Sequence, residues 1–94
     1  MADLDALLTI FSEVRTLLAR PENDFDWSSW QDEEDALAEI DGIIANLRAG
    51  QTPDTMTMRV LFAPTGPMQE VSLSSGWGNR FLELAERFDE AIGA

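Results

Sequence analysis

Residues 55–75 read TMTMRVLFAPTGPMQEVSLSS, and the pattern of this stretch decides the predicted fold. Apolar side chains occupy every second position of its first part, at Met56, Met58, Val60 and Phe62. Alternation resumes at 68–75 with Val71 and Leu73, and Pro64 and Gly66 are placed for a tight turn between the two parts. A period of two is typical of a half-buried strand, whereas a helix repeats every 3.6 residues. The stretch therefore predicts a β-hairpin with strands at 55–62 and 68–75.

The sequence on both sides of this stretch has helical periodicity. In 3–20, apolar residues recur at i, i+3, i+4 and i+7 after Asp3, the predicted N-cap. A second helix is expected from Ser28 or Ser29 to Ala49, and a third over about 78–92. The order α-α-β-β-α predicts an α+β domain in which three helices pack on one face of a small antiparallel hairpin sheet.

The predicted sheet has consequences for the oligomeric state. The chain of 94 residues has no linker or internal repeat, so a single domain over 1–94 is expected. A two-stranded sheet is marginal in water and leaves two unpaired edges. Either a helix or loop covers an edge, or two copies join their 55–62 strands into a four-stranded sheet. The second alternative predicts a symmetric homodimer.

The amino-acid composition removes most of the usual catalytic groups. The sequence contains no His, Cys, Lys or Tyr, and all six basic residues are Arg. The common general base, thiol nucleophile, Schiff-base amine and phenolic acid are therefore missing. Carboxylates, hydroxyls and guanidinium groups remain. We expect a chain that is not an enzyme and needs no cofactor, with a carboxylate-based enzyme as the alternative.

Charge and hydropathy indicate the class of partner. The net charge is −12, which disfavours nucleic acid and anionic membranes and favours a basic protein. Solubility alone, a GC-rich genome or a salt-adapted host would also explain the charge. No apolar run approaches the roughly 20 residues that a membrane span needs, and the first residues are acidic. A cytoplasmic protein is the simplest interpretation.

Residues 24–35, DFDWSSWQDEED, resemble the spacing of a calcium loop. Oxygen ligands would come from side chains at alternate positions and from the Trp30 carbonyl. Against a metal site, Ser29 stands where the loop needs Gly, and a shorter Asp stands in the final ligand position. The alternative is that the acids cap and solvate a helix start. The candidate ligand side chains are Asp24, Asp26, Ser28, Asp32 and Asp35.

Aromatic residues lie at the predicted loop–helix junctions. If the junctions converge, their rings form a patch edged by carboxylates that would suit a cationic partner. The alternative is that these rings close the ends of the core, and for Trp30, which lies on the helix stripe, we favour the core. The candidate binding surface comprises Phe25, Trp27, Trp77, Asp24, Asp26, Asp32 and Asp35.

A third candidate site is an anion site at the start of the last helix. Gly76, Gly78, Asn79 and Arg80 combine backbone N–H groups with a guanidinium at a helix N-terminus. The spacing matches neither of the glycine-rich phosphate motifs, and the chain has no Lys to complete a phosphate cradle.

Together, these features predict a small acidic binding domain that acts through protein–protein contacts. The concrete version is an inhibitor or immunity-type protein for a basic toxin or nuclease. The alternative is a carboxylate-based enzyme or a divalent-metal or ligand-binding domain centred on residues 24–35.

Overall fold

A computed structural model describes residues 3–25, 30–63 and 66–93 and shows five α-helices in these ranges. Helix α1 spans Leu4–Leu18 and α2 spans Glu33–Arg48. Two short helices follow, α3 at Thr55–Leu61 and α4 at Pro67–Ser75, and α5 spans Gly78–Gly93. The described residues contain no β-strand, so the protein is helical in these ranges and the predicted α+β class is wrong.

The hairpin prediction fails because residues 55–75 carry helix caps that outweigh their alternating pattern. Before α3, the Asp54 carboxylate accepts hydrogen bonds from the Met56 N–H at 3.1 Å and the Thr57 hydroxyl at 3.2 Å. Before α4, Gly66 is the N-cap and Pro67 takes the first helical turn, where its missing N–H costs nothing. Gly76 ends α4 in the left-handed conformation at φ 85°. Both segments that were expected to be strands are therefore delimited by helix caps.

Burial in this stretch follows the helical period. A strand over 55–62 would bury Met56 and Val60 together with Met58, yet these two side chains are 66% and 52% exposed. The structure instead buries residues three and four positions apart, as one face of a helix requires. In α3 and its cap these are Met58, Leu61 and Phe62, and in α4 they are Met68, Val71 and Ser72.

Without the hairpin, the proposed dimer loses its basis. The 55–62 edge that was predicted to pair with a second copy is α3. Its backbone hydrogen bonds lie within the helix, so no strand edge is available there for another chain.

The three other helices lie close to where periodicity places them. Asp3 is the N-cap of α1, and its carboxylate accepts from the Ala6 N–H at 3.1 Å. Helix α2 begins later than expected, because Asp32 caps it by accepting from the Asp35 N–H at 2.9 Å. The predicted Ser28 or Ser29 start falls outside the described residues.

The core is organised around α1, which packs against α2 on one side and α5 on the other. Helix α4 packs against α5. Phe62, at the end of α3, stacks on Phe88 of α5 with ring centroids 4.4 Å apart, and Phe11 of α1 meets Phe62 edge-on at 5.6 Å. This cluster ties the short helix α3 to the two long ones.

The first and last helices also meet through their backbones. The Asp3 N–H donates to the Ala91 carbonyl at 2.9 Å. This hydrogen bond places the beginning of α1 beside the last turn of α5. None of the helices in the described ranges combines the length and apolar character that a membrane crossing requires.

Candidate functional site

Helix α5 presents two different flanks on either side of its buried stripe. The stripe consists of Phe81, Leu84, Phe88 and Ala91. At 100° per residue, Arg80 and Arg87 fall on one flank, and Leu82 and Asp89 fall on the other. The two flanks also differ in their contacts with the rest of the protein.

The flank of α5 with both arginines faces α1, and a cleft of about 340 Å³ remains open between the two helices beside Arg87. Glu13 of α1 accepts from Arg80 Nη2 at 2.8 Å, and its second carboxylate oxygen lies 2.5 Å from Arg87 Nη1. Arg80 also pairs with Glu83 at 3.0 Å. The contact to Arg87 is an ion pair without an aligned hydrogen bond. One carboxylate therefore holds both positive charges of α5 against α1.

The opposite flank of α5 lines an open groove. Its wider part has a volume of about 360 Å³ between the end of α3 and α5, and its narrower part, about 290 Å³, lies between α4 and α5. The two parts share Gln69, Phe81 and Leu82, so they adjoin each other along α5. We call the two parts together the α4–α5 groove, and its remaining lining residues are Arg59, Phe62, Ala63, Leu73, Gly76, Gly78, Asn79, Ala85, Phe88 and Asp89.

Two leucines give the groove its exposed apolar surface. Leu73 of α4 is 66% exposed and Leu82 of α5 is 60% exposed. Helices α4 and α5 approach each other closely here, as shown by the 3.0 Å that would separate a Cβ added at Gly78 from Leu73 Cδ2. Large apolar side chains exposed side by side mark interaction surfaces more often than isolated ones do.

Among the described residues that line the groove, the charged ones lie at its wider end. Arg59 of α3 and Asp89 of α5 both line that part. Neither has an ion-pair partner among the described residues. Next to Asp89, the exposed Glu86 adds a second negative charge on the solvent side of α5. The rim therefore offers two carboxylates and one guanidinium to a ligand.

A smaller cleft on the other side of α3 has a volume of about 270 Å³. Its walls include the exposed Met56 and Val60, together with Glu39 of α2 and Pro67 of α4. This cleft shares no lining residue with the α4–α5 groove. It therefore provides a natural control surface for experiments on the groove.

The structure places Trp77, from the predicted aromatic surface, inside the core. Its side chain is 4% exposed, and its indole N–H donates to Asn23 Oδ1 at 2.9 Å. The Asn23 amide in turn donates to the Leu17 carbonyl at 2.7 Å. Trp77 therefore fastens the loop after α1 to the start of α5, and its ring is not presented to a partner.

The other members of that surface that the structure describes are spread between the core, the loop after α1 and the cap of α2. Phe25 packs partly buried against the core, and the Asp24 N–H donates to the Ser75 hydroxyl at 2.9 Å. Asp26 and Trp27 lie outside the described residues. Trp30 is 5% exposed and donates to Glu39 Oε2 at 2.6 Å. The preference for a core position of Trp30 agrees with this burial.

Two of the carboxylates proposed for a metal site, those of Asp32 and Asp35, have local roles in the cap of α2. Asp32 caps the helix, and Asp35 Oδ2 accepts from the Gln31 N–H at 3.2 Å. In the described part of the chain, no group of three or more acidic side chains is positioned to hold a metal ion. Asp26 and Ser28 are outside it, so the metal hypothesis stays a prediction.

The proposed anion site has its charged residue committed elsewhere. Arg80 is engaged by Glu13 and Glu83. Gly76 serves as the left-handed end of α4, and Gly78 and Asn79 line the narrow end of the α4–α5 groove. An anion here would have to compete with two carboxylates for the guanidinium.

Sequence reasoning missed Leu73 and Leu82, the exposed large apolar residues of the groove. Leu82 does carry a signal, since it is a large apolar residue outside the stripe predicted for the last helix. The alternating pattern at 68–75 places Leu73 on the buried face of the second predicted strand, and this segment is helix α4 instead. Its exposure follows only once α4 is recognised as a helix with Val71 and Ser72 inside.

Comparisons with known proteins add no functional information to this geometry. Neither a scan against known protein families nor searches of characterised proteins and of solved structures found a match to this chain.

Proposed function

We propose that the chain is a non-enzymatic interaction domain that binds a basic protein through the α4–α5 groove. The observation that supports this proposal is the pair of exposed leucines, Leu73 and Leu82, in a groove whose floor is lined by phenylalanine rings. Covering them with a partner removes apolar surface from water, which is the main favourable term in most protein association.

The charge distribution supports a basic partner. The chain carries a net charge of −12, and both arginines of α5 are held by Glu13 on the flank away from the groove. Asp89 and Glu86 are then the charges that α5 offers on the side of the groove. Complementary charge accelerates association and excludes wrong partners. An inhibitor or immunity-type protein that blocks a basic toxin or nuclease is the concrete form of this proposal.

Site-specific photo-crosslinking tests the proposal. A photoreactive amino acid is placed at Leu73, at Leu82 or at the exposed Ala45 of α2, a helix that contributes no residue to the groove. In cells of the source organism, we expect one basic protein to be captured from both groove positions and not from position 45. The purified protein should then bind the wild type, and Leu82→Asp should weaken that binding by about tenfold or more.

The control is the thermal unfolding of each variant, since residues exposed to this degree should tolerate substitution. Equal crosslinking from all three positions, capture only from position 45, or an acidic captured protein would contradict the proposal.

A further inference from the structure

We infer that the segment bound in the α4–α5 groove is a basic amphipathic α-helix of about three turns. This inference rests on the proposed function and specifies the partner's conformation, length and charge. Each of the three follows from a separate feature of the groove.

The groove walls favour a helical ligand because they offer few free backbone groups along their length. The groove runs along α5, with α4 and the end of α3 on its other side, and most backbone groups of these helices bond within their own helix. The exceptions are the N–H groups in the first turn of α5, at the narrow end, and the described residues contain no strand edge. An extended peptide would bring unpaired N–H and C=O groups to an apolar surface, which is unfavourable. A helix satisfies its own backbone and presents only side chains.

The length of the ligand follows from the extent of the groove along α5. Its lining runs from Gly78 at the narrow end to Asp89 at the wide end. Eleven helical steps at about 1.5 Å each give about 16 Å, which matches about three turns of a partner helix. Apolar side chains at i, i+3 or i+4, and i+7 of that helix would contact Leu73, Leu82 and Phe81.

The charge of the ligand follows from the wide end. Asp89 lines this end and Glu86 lies next to it on the solvent side, and neither has an ion-pair partner among the described residues. Arg59 is the only base that lines the described groove. A second copy of this chain is a poor occupant, because two bodies of charge −12 repel each other. Lys or Arg on the exposed face of the bound helix would instead pair with these acids.

Three labelled peptides of about 14 residues test the inference by fluorescence anisotropy with the full chain. The first has Leu at helical spacing and Lys elsewhere, the second replaces each Lys with Glu, and the third is the first with a central Pro. The first should bind at least about tenfold more tightly than the other two. Leu82→Gln should weaken its binding by about tenfold or more, whereas Val60→Gln, in the separate cleft, should change it by no more than about twofold.

Each alternative has its own outcome. A peptide held by charge alone would bind the Leu82→Gln variant as tightly as the wild type, and this result would overturn the inference. Equal binding of the Pro peptide or of the Glu peptide, or no binding of the Lys peptide, would also overturn it. Sedimentation that shows a dimer lost on Leu82→Gln would assign the groove to a second copy instead. The proposed function is judged separately, by crosslinking from Leu73 and Leu82.

Discussion

Gly66 allows the sharp connection between α3 and α4. A Cβ at this position would lie 2.4 Å from the Val60 carbonyl oxygen and 3.1 Å from the Ala63 carbonyl oxygen. Both neighbours are backbone atoms, so the chain itself would have to move. The φ angle of −78° is accessible to any residue, and the requirement for Gly is therefore a matter of space.

We predict that Gly66→Ala lowers the free energy of unfolding by about 1–3 kcal/mol, as overpacking does in cores. Gly42 is the matched control, because it is exposed within α2 and its added Cβ would meet nothing within 4 Å. Gly42→Ala should raise the free energy of unfolding by about 0.5–1 kcal/mol through helix propensity. Urea denaturation followed by circular dichroism measures both, and effects of the same sign would contradict the prediction.

Single residues also show why the site was harder to predict than the helices. Glu83 and Arg87 lie four residues apart on α5, a spacing that favours a local ion pair, but Arg87 pairs with Glu13, which is far away in the sequence. The composition indicates neither this pairing nor the burial of Trp77, because both depend on how α1 meets α5. The N-cap at Asp3 was predictable because it is a local interaction.

The short helices α3 and α4 show how periodicity misleads over short lengths. Seven or nine residues contain too few turns to separate a period of two from 3.6, and Thr and Val favoured the strand. Asp54 before TMTM and the Gly66–Pro67 step were capping signals that pointed to helices. The long helices α1, α2 and α5 were predictable because several turns of apolar stripe fix their period.

Substitution of Val60 distinguishes the two conformations of 55–62. The side chain is 52% exposed on α3, so Val60→Ala should raise the free energy of unfolding by about 0.5 kcal/mol, since Ala is the better helix former. In a strand the same change would lower it, because β-branched residues favour strands. Chemical denaturation with matched m-values measures the difference.

Val71→Ala is the control for this measurement, because Val71 is fully buried in α4. The substitution should lower the free energy of unfolding by about 2 kcal/mol or more, because buried apolar surface is lost and a cavity is left. A destabilising effect of Val60→Ala would argue for the strand and against the helical structure of this segment.

At the scale of the whole molecule, repulsion among acidic side chains opposes the packed state. The 18 acidic residues face only six arginines, so a net charge of −12 remains even with Arg15, Arg80 and Arg87 in ion pairs. The hydrogen bond and charge of Asp41 raise the pKa of the Arg15 guanidinium, which keeps its positive charge throughout the neutral range.

We predict that the Tm rises with NaCl concentration, because screening shortens the range of repulsion from about 10 Å at 0.1 M to about 3 Å at 1 M. If screening lowers the repulsion free energy by about 1 kcal/mol, the Tm of a domain of this size should rise by about 4–8 °C. A Glu86→Gln, Glu90→Gln variant carries less charge and should respond less to salt. A Tm that falls with NaCl would show that the ion pairs outweigh the repulsion.

The hydrogen bond between Asp3 and Ala91 makes this fold a good candidate for circular permutation. Because the two ends of the helical bundle are adjacent, a short peptide joining them would not have to stretch across the surface. New ends opened in the exposed Gln51–Thr52 connection would leave each helix whole and each packed pair of helices intact. For the same reason, the bundle suits insertion into a surface loop of a host protein. The chain would enter and leave the bundle at nearly the same point, so the host loop would not have to open widely.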